Sequence, residues 1–222
     1  MTTDTSPAPA PTNDATHAWF ASVPTDWAGW IAFRDQVATS PQARNSLRQF
    51  MSERLEAGKD DLKLGLGLCA AGESARALPH LQAASGDLAA VLAAGAQAAQ
   101  GDVAGSLAAL DGLVTSEAVG VQACLIRARL HRRLRDTDGL AKDAAAVAKA
   151  GGSEADVGYV AGLALEVSGD HEGALTTWEA AVDADPTHVE ATFELAALLD
   201  RMGDDDAALE LLEPFRTGAL PA

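Results

Sequence analysis

The residues able to do chemistry are few and scattered. Five histidines, His17, His80, His131, His171 and His188, stand far apart, and no two share the i, i+4 spacing of a zinc pair on a helix. No HExxH, GxxxxGKS/T or GxSxG string occurs, so the usual sequence marks of a metalloprotease, a phosphate loop and a serine hydrolase are missing. KLGLGL at Lys63–Leu68 has two closely spaced glycines but lacks the third glycine and the preceding strand of a nucleotide loop. Asp204–Asp206 lacks the glycine and the distal glutamate of a calcium loop, and reads as a charged helix start. Cys69 and Cys124 belong to no CxxC and are expected as buried, reduced thiols. These residues point to no catalytic centre, no metal and no cofactor, and the chain is expected not to be an enzyme.

Charge and composition narrow the partners. A formal charge of −16 argues against nucleic acid, which is held by neutralising phosphates. The charge is uneven: residues 119–152 carry +4, with Arg127, Arg129, Arg132, Arg133, Arg135, Lys142 and Lys149, whereas residues 153–222 carry −14. Such a split bears on association and steering. No run of apolar residues is long and charge-free enough to span a membrane. The opening MTTDTSPAPAPTNDAT lacks the basic and apolar regions of a secretory signal, so a cytoplasmic protein is expected.

The elements that would position any site come from a repeat. GDHEGAL begins at Gly169 and GDDDAAL at Gly203, 34 residues on; the same step backwards reaches RDTDGLA at Arg135 and GDVAGSL at Gly101. A fixed period of this size marks a stacked helical array. Each glycine ends a helix in a left-handed conformation, and the following aspartate caps the next one. Small residues (Gly162, Ala174, Ala181, Ala196, Ala208) let paired helices approach, and Trp178 fills the space between them. Helix pairs are expected at 59–71/74–85, 88–99/103–115, 120–134/138–150, 154–168/171–184 and 188–201/205–215.

Residues 1–16 have no periodicity and read as a disordered tail. Residues 17–57 hold Trp19, Trp27 and Trp30 without a repeat signature. Thr25 or Asp26 can start one helix and Ser40-Pro41 another, making a helical cap for the first repeat, and 217–222 is a short tail. The array itself is placed at 58–216.

Gly162, Gly169, Ala174, Trp178, Ala181 and Pro186, followed by Leu195, Ala196, Gly203 and Ala208, resemble the signature of the tetratricopeptide repeat, a helix–turn–helix of 34 residues. The match is good over 155–216, keeps mainly the period over 87–152, and at 58–86 rests on GESARAL at Gly72. The resemblance implies an all-α, right-handed superhelical α-solenoid of about five helical pairs behind the N-terminal cap. It also implies a ligand groove on the concave face, lined by the first helix of each pair. There Val91, Leu125, Tyr159 and Phe193 would form an apolar ladder, beside Arg129 and Leu163 and beside Arg132, Glu166 and Asp200. The apolar ladder can equally be read as partly buried packing. The family's clamp for acidic chaperone tails needs groove lysines and asparagines, whereas Asn13 and Asn45 both lie outside the array.

The expected function is therefore a non-enzymatic scaffold that binds a peptide or helix of a partner protein along that groove. Leu125, Tyr159, Leu163 and Phe193 would anchor the ligand, and Arg129, Arg132, Glu166 and Asp200 would orient it. A ligand so placed would be acidic near the arginines and basic near the carboxylates. The alternative is a self-assembling structural protein: Leu211, Leu212 and Phe215 of the last pair lack a covering helix and could be buried on a second copy, giving a homodimer.

Overall fold

A glycine and an aspartate punctuate most of the turns between paired helices. In the computed structural model, which describes residues 24–57 and 61–217, Gly72, Gly101, Gly169 and Gly203 have φ between 79 and 92°. That left-handed conformation is least costly for glycine. Asp102, Asp136 and Asp170 each accept a hydrogen bond from a backbone N–H three residues on, at 2.9 Å, and Asp204 does so at 3.2 Å. In one repeat the glycine is replaced by Arg135, the sole described non-glycine residue at positive φ, with φ 56°. Its guanidinium donates to the Val167 carbonyl of the next pair at 3.2 Å, which compensates in part for the strained backbone.

Among the described residues there are twelve helices and no strand. They are α1 (Trp27–Ala38), α2 (Pro41–Ala57), α3 (Asp61–Ala70), α4 (Ser74–Ala83), α5 (Asp87–Ala99), α6 (Val103–Asp111), α7 (Gly120–Leu134), α8 (Thr137–Lys149), α9 (Glu154–Ser168), α10 (His171–Ala184), α11 (Val189–Met202) and α12 (Asp205–Thr217). From α5 onward the paired boundaries follow the 34-residue punctuation, whereas the step from Gly72 to Gly101 is 29 residues; the protein has the all-α helical-repeat architecture expected from the period. The chain divides into two compact units, residues 1–109 and 110–222.

In the first unit α1 and α2 pack on α3, α3 pairs with α4, and α5 packs on both. Asp26 caps α1, and Trp30, Phe33 and Val37 are buried. The Trp30 indole donates to the Leu66 carbonyl at 3.4 Å. Leu47, Phe50 and Met51 of α2 are buried as well, and Arg48 reaches the Ala71 carbonyl at 3.0 Å. The expected tail, Trp19, and the side chains of Arg54 and Leu55 lie outside the described residues.

In the second unit each helix packs on the next, and α7, α9 and α11 also touch in turn, the pattern of stacked pairs. Its core joins Leu140 and Val147 of α8, Tyr159, Val160 and Leu163 of α9, Ala174, Trp178 and Ala181 of α10, and Ala191, Leu195 and Leu198 of α11. Trp178 is 0% exposed, and its indole N–H donates to the Tyr159 carbonyl at 3.1 Å. The ring lies against Gly162 so closely that a methyl group there would collide with it.

Two stability outcomes follow from this packing. Trp178→Ala should destabilise by about 3–5 kcal/mol, and Gly162→Ala by about 1–3 kcal/mol despite alanine's better helix propensity. Urea midpoints check both; a neutral Gly162→Ala would mean that the indole is not seated on that glycine. Arg135→Gly should instead stabilise by roughly 0.5–1 kcal/mol, because relief of the left-handed strain exceeds the loss of one part-buried hydrogen bond whose acceptor can take up water. A lowered midpoint in that variant would show the Val167 contact to be the larger effect.

Candidate protein-interaction surface

The first helices of the second unit, α7, α9 and α11, bring several of the expected groove residues onto one face. Leu125 of α7 is partly buried against the core. Arg129 is exposed and faces Glu190 of α11 at 3.5 Å. Arg132 meets Glu166 of α9 at 3.5 Å and also hydrogen-bonds Glu194 of α11. Glu166 in turn pairs with Arg201 of α11 at 3.3 Å. The basic stretch and the acidic stretch of the sequence thus meet within the molecule, stitching three helices together. A ligand approaching this face meets arginines already partnered by carboxylates, which corrects the expectation of a groove basic at one end and acidic at the other.

Two expected anchors lie elsewhere. Tyr159 is 2% exposed and Leu163 0%, so both belong to the core and neither presents a side chain to a ligand. The Tyr159 ring sits 5.6 Å from the His188 ring, and burial pushes its hydroxyl pKa up to about 12, so it stays neutral. Val91, placed on the same ladder, is buried within the first unit. Phe193 is the exception: it is 50% exposed, with its ring 5.7 Å from that of Phe215. Asp200 is exposed and has no ion-pair partner among the described residues.

The end of the second unit carries a further surface. Between α11 and α12 an open groove of about 430 Å³ is lined by Phe193, Ala197, Ala208, Leu209 and Leu212, with Asp200 and Asp205 at its edge. Leu209 is 67% exposed. Leu211 packs partly on the core and Phe215 lies against Phe193.

Three polar groupings escaped the sequence reading. Asp143 of α8 is 0% exposed and is held by Arg127 at 2.6 Å and by His131 Nδ1 at 2.7 Å, while Arg127 also reaches Asp111 at 2.6 Å. A lone acid between Leu140 and Val147, at helical spacing on the buried side of α8, was the available signal. His188 caps α11: its Nδ1 accepts from the Ala191 N–H at 3.0 Å, and Nε2 lies 3.3 Å from Asp156. The His188 contact foremost, with hydrogen bonds from Ser153, holds the Asp156 carboxyl below the usual range against the opposing effect of burial. The third is the ladder of ion pairs itself.

None of these groupings places a nucleophile beside a base in a cleft. No group of three or more metal-ligating side chains is found among the described residues, and none of their helices is long and apolar enough to cross a membrane. Cys69 and Cys124 are unpaired, and burial pushes the Cys69 thiol up to about 12.

Residues 168–214 match the model of the tetratricopeptide repeat. No curated protein matches the sequence. Among solved structures, the chain resembles a tetratricopeptide repeat protein from Parabacteroides merdae, with a TM-score of 0.58 and 14% identity over 88% of this chain and 80% of that one. It is also similar to MamA from Desulfovibrio magneticus RS-1, residues 41 to the end, with a TM-score of 0.47 and 18% identity over 78% of this chain and 96% of that one. The first likeness establishes the fold; the second is too loose to carry a conclusion.

The two kinds of charge pair differ in what they contribute. Asp143→Ala should lower stability by about 3–5 kcal/mol, because the mostly buried Arg127 and His131 lose the carboxylate that holds both, and Arg127 keeps only the exposed Asp111. Arg129→Ala should change stability by less than about 1 kcal/mol, as exposed pairs usually do. Denaturant titrations of both variants decide the matter; equal effects would contradict the assignment of Asp143 to the core.

Proposed function

Since residues 168–214 are tetratricopeptide repeat and the chain has that family's helical-repeat fold, we propose that it is a non-enzymatic scaffold binding a peptide or helix of a partner protein on the face of α7, α9 and α11. The observation that carries this reading is Phe193, an aromatic side chain left half-exposed on a face otherwise organised by ion pairs. A rigid, exposed aromatic is the kind of residue that dominates interface energy. Arg129, Arg132 and Glu166, held in place by their partners, offer oriented donors and acceptors around it, and Leu125 and Asp200 extend the surface on either side. In this proposal Tyr159 and Leu163 support the face from beneath. Two reduced cysteines are consistent with a cytoplasmic scaffold, and we include that location in the proposal.

Self-assembly is the second reading, favoured by the exposure of Leu209 and Met202 near the end of the second unit. Light scattering over a concentration series separates the two, because a strict monomer at high concentration removes the second.

The binding test uses the full chain as bait, followed by purification of the captured partner segment. Phe193→Ala should speed its dissociation at least tenfold, and Arg129→Glu should slow association and alter its salt dependence. Binding indifferent to both changes would remove the function from this face.

A further inference from the structure

The groove between α11 and α12 has a filled counterpart inside the same unit. One repeat earlier, the pair α9 and α10 carries α11 across it. There Tyr159, Leu163, Ala174 and Trp178 are buried in one cluster with Ala191, Leu195 and Leu198 of α11. The residues 34 positions on are Phe193, Ala197, Ala208 and Leu212, and these four line the open groove. Equivalent positions are thus dry under a helix between α9 and α10 and, among the described residues, uncovered between α11 and α12. The protein itself shows what shape fits there: an α-helix presenting a stripe of small and aliphatic residues.

Charge narrows the occupant. In the interior, Glu166 receives Arg201 of the covering helix at 3.3 Å. Its counterpart one repeat on is Asp200, which has no ion-pair partner among the described residues, and Asp205 lies at the same groove edge. A second cross-helix contact runs from Arg132 to Glu194, two first helices further along. Moved on by one repeat, Glu194's position on the incoming helix faces the carboxylate of Glu166. The incoming helix therefore needs a cation at the place of Arg201, opposite Asp200. At the place of Glu194, seven residues earlier on the same face, a cation is preferred to a second carboxylate beside Glu166, which Arg132 and Arg201 already pair. Pairing two such ends of the chain itself would set Asp200 and Asp205 against like charges, within a segment of charge −14.

We propose that this groove is the docking site for a basic amphipathic helix of another protein, which completes the array by taking the place of its next first helix. The proposal rests on the scaffold reading only in taking the partner to be a protein; its groove shares Phe193 and Asp200 with that face and leaves Arg129 outside its lining.

The probe is a fluorescein-labelled peptide spanning His188–Asp204, the natural occupant of the interior groove, carrying Glu194→Lys and retaining Arg201. Titrated with the full-length chain, it should give saturable anisotropy that weakens with added salt. Leu209→Arg in the protein should weaken binding at least tenfold; that side chain is mostly exposed, so the fold is retained, and circular dichroism checks this. Asp200→Lys in the protein, or Arg201→Glu in the peptide, should weaken it at least fivefold. Absence of saturable binding would overturn the proposal, as would equal affinity for the Leu209→Arg chain. Displacement of the peptide by a second copy of the chain, seen as a dimer in sedimentation, would also overturn it by assigning the groove to self-association. Each of these failures leaves the effect of Arg129→Glu on a captured partner to be read independently, because Arg129 is not part of the groove lining.

Discussion

The second unit depends on one contact, the Trp178 indole seated against Gly162 beneath the Tyr159 carbonyl. A ring of that size fits between α9 and α10 only where the facing residue has no side chain, and its N–H finds a partner only if the two helices keep one register. The contact therefore fixes the separation and offset of the pair. Once that pair is set, Tyr159, Leu163 and Trp178 present a shaped surface on which α11 closes with Ala191, Leu195 and Leu198. Stacked repeats bury little on their own and gain stability from neighbours, so a contact that sets the geometry of one pair sets the platform for the next.

Electrostatics plays a different part. The exposed pairs Arg129–Glu190 and Arg201–Glu166 each contribute little stability. Their value lies in linking first helices one or two repeats apart, so that a sliding displacement of the stack breaks several at once. Asp143 is the opposite case: buried on α8 and bracketed by Arg127 and His131, it ties α7 to α8 at a site where a lost partner is costly. Together these contacts explain why Arg129 and Arg132 are not bare cations on the face of α7, α9 and α11.

Helix positions were legible because the turns are written in residues with one physical job: glycine accepts a left-handed backbone and aspartate caps the following helix. The role of Trp178 was legible for a similar reason, since the small residues around it leave room for one large ring. Exposure on the ladder was less legible. Tyr159 and Phe193 occupy the same position in successive repeats, yet one is buried under the next first helix and the other has no covering helix in the described structure. Periodicity names the face of the helix, and the neighbour decides whether that face is wet. Asp143 and His188 were missed for a related reason: the place of Asp143 between Leu140 and Val147 marks it as buried but does not name Arg127 and His131, and His188 caps its own helix while its second partner, Asp156, lies on another. Arg135 shows the limit of reading turns by composition: it takes a glycine's conformation while reaching across to Val167.

The central claim is that the second unit is a stack whose stability is set by nearest neighbours, firmest where α9 and α10 lock around Trp178 and weakest at its open end. Native-state hydrogen exchange tests it most directly. Amides of α9 and α10 should exchange only through global unfolding, while those of α11 and α12 should exchange through a smaller opening at lower free energy, with α12 the least protected. Uniform protection from residue 154 to residue 217, or protection highest in α12, would contradict the account.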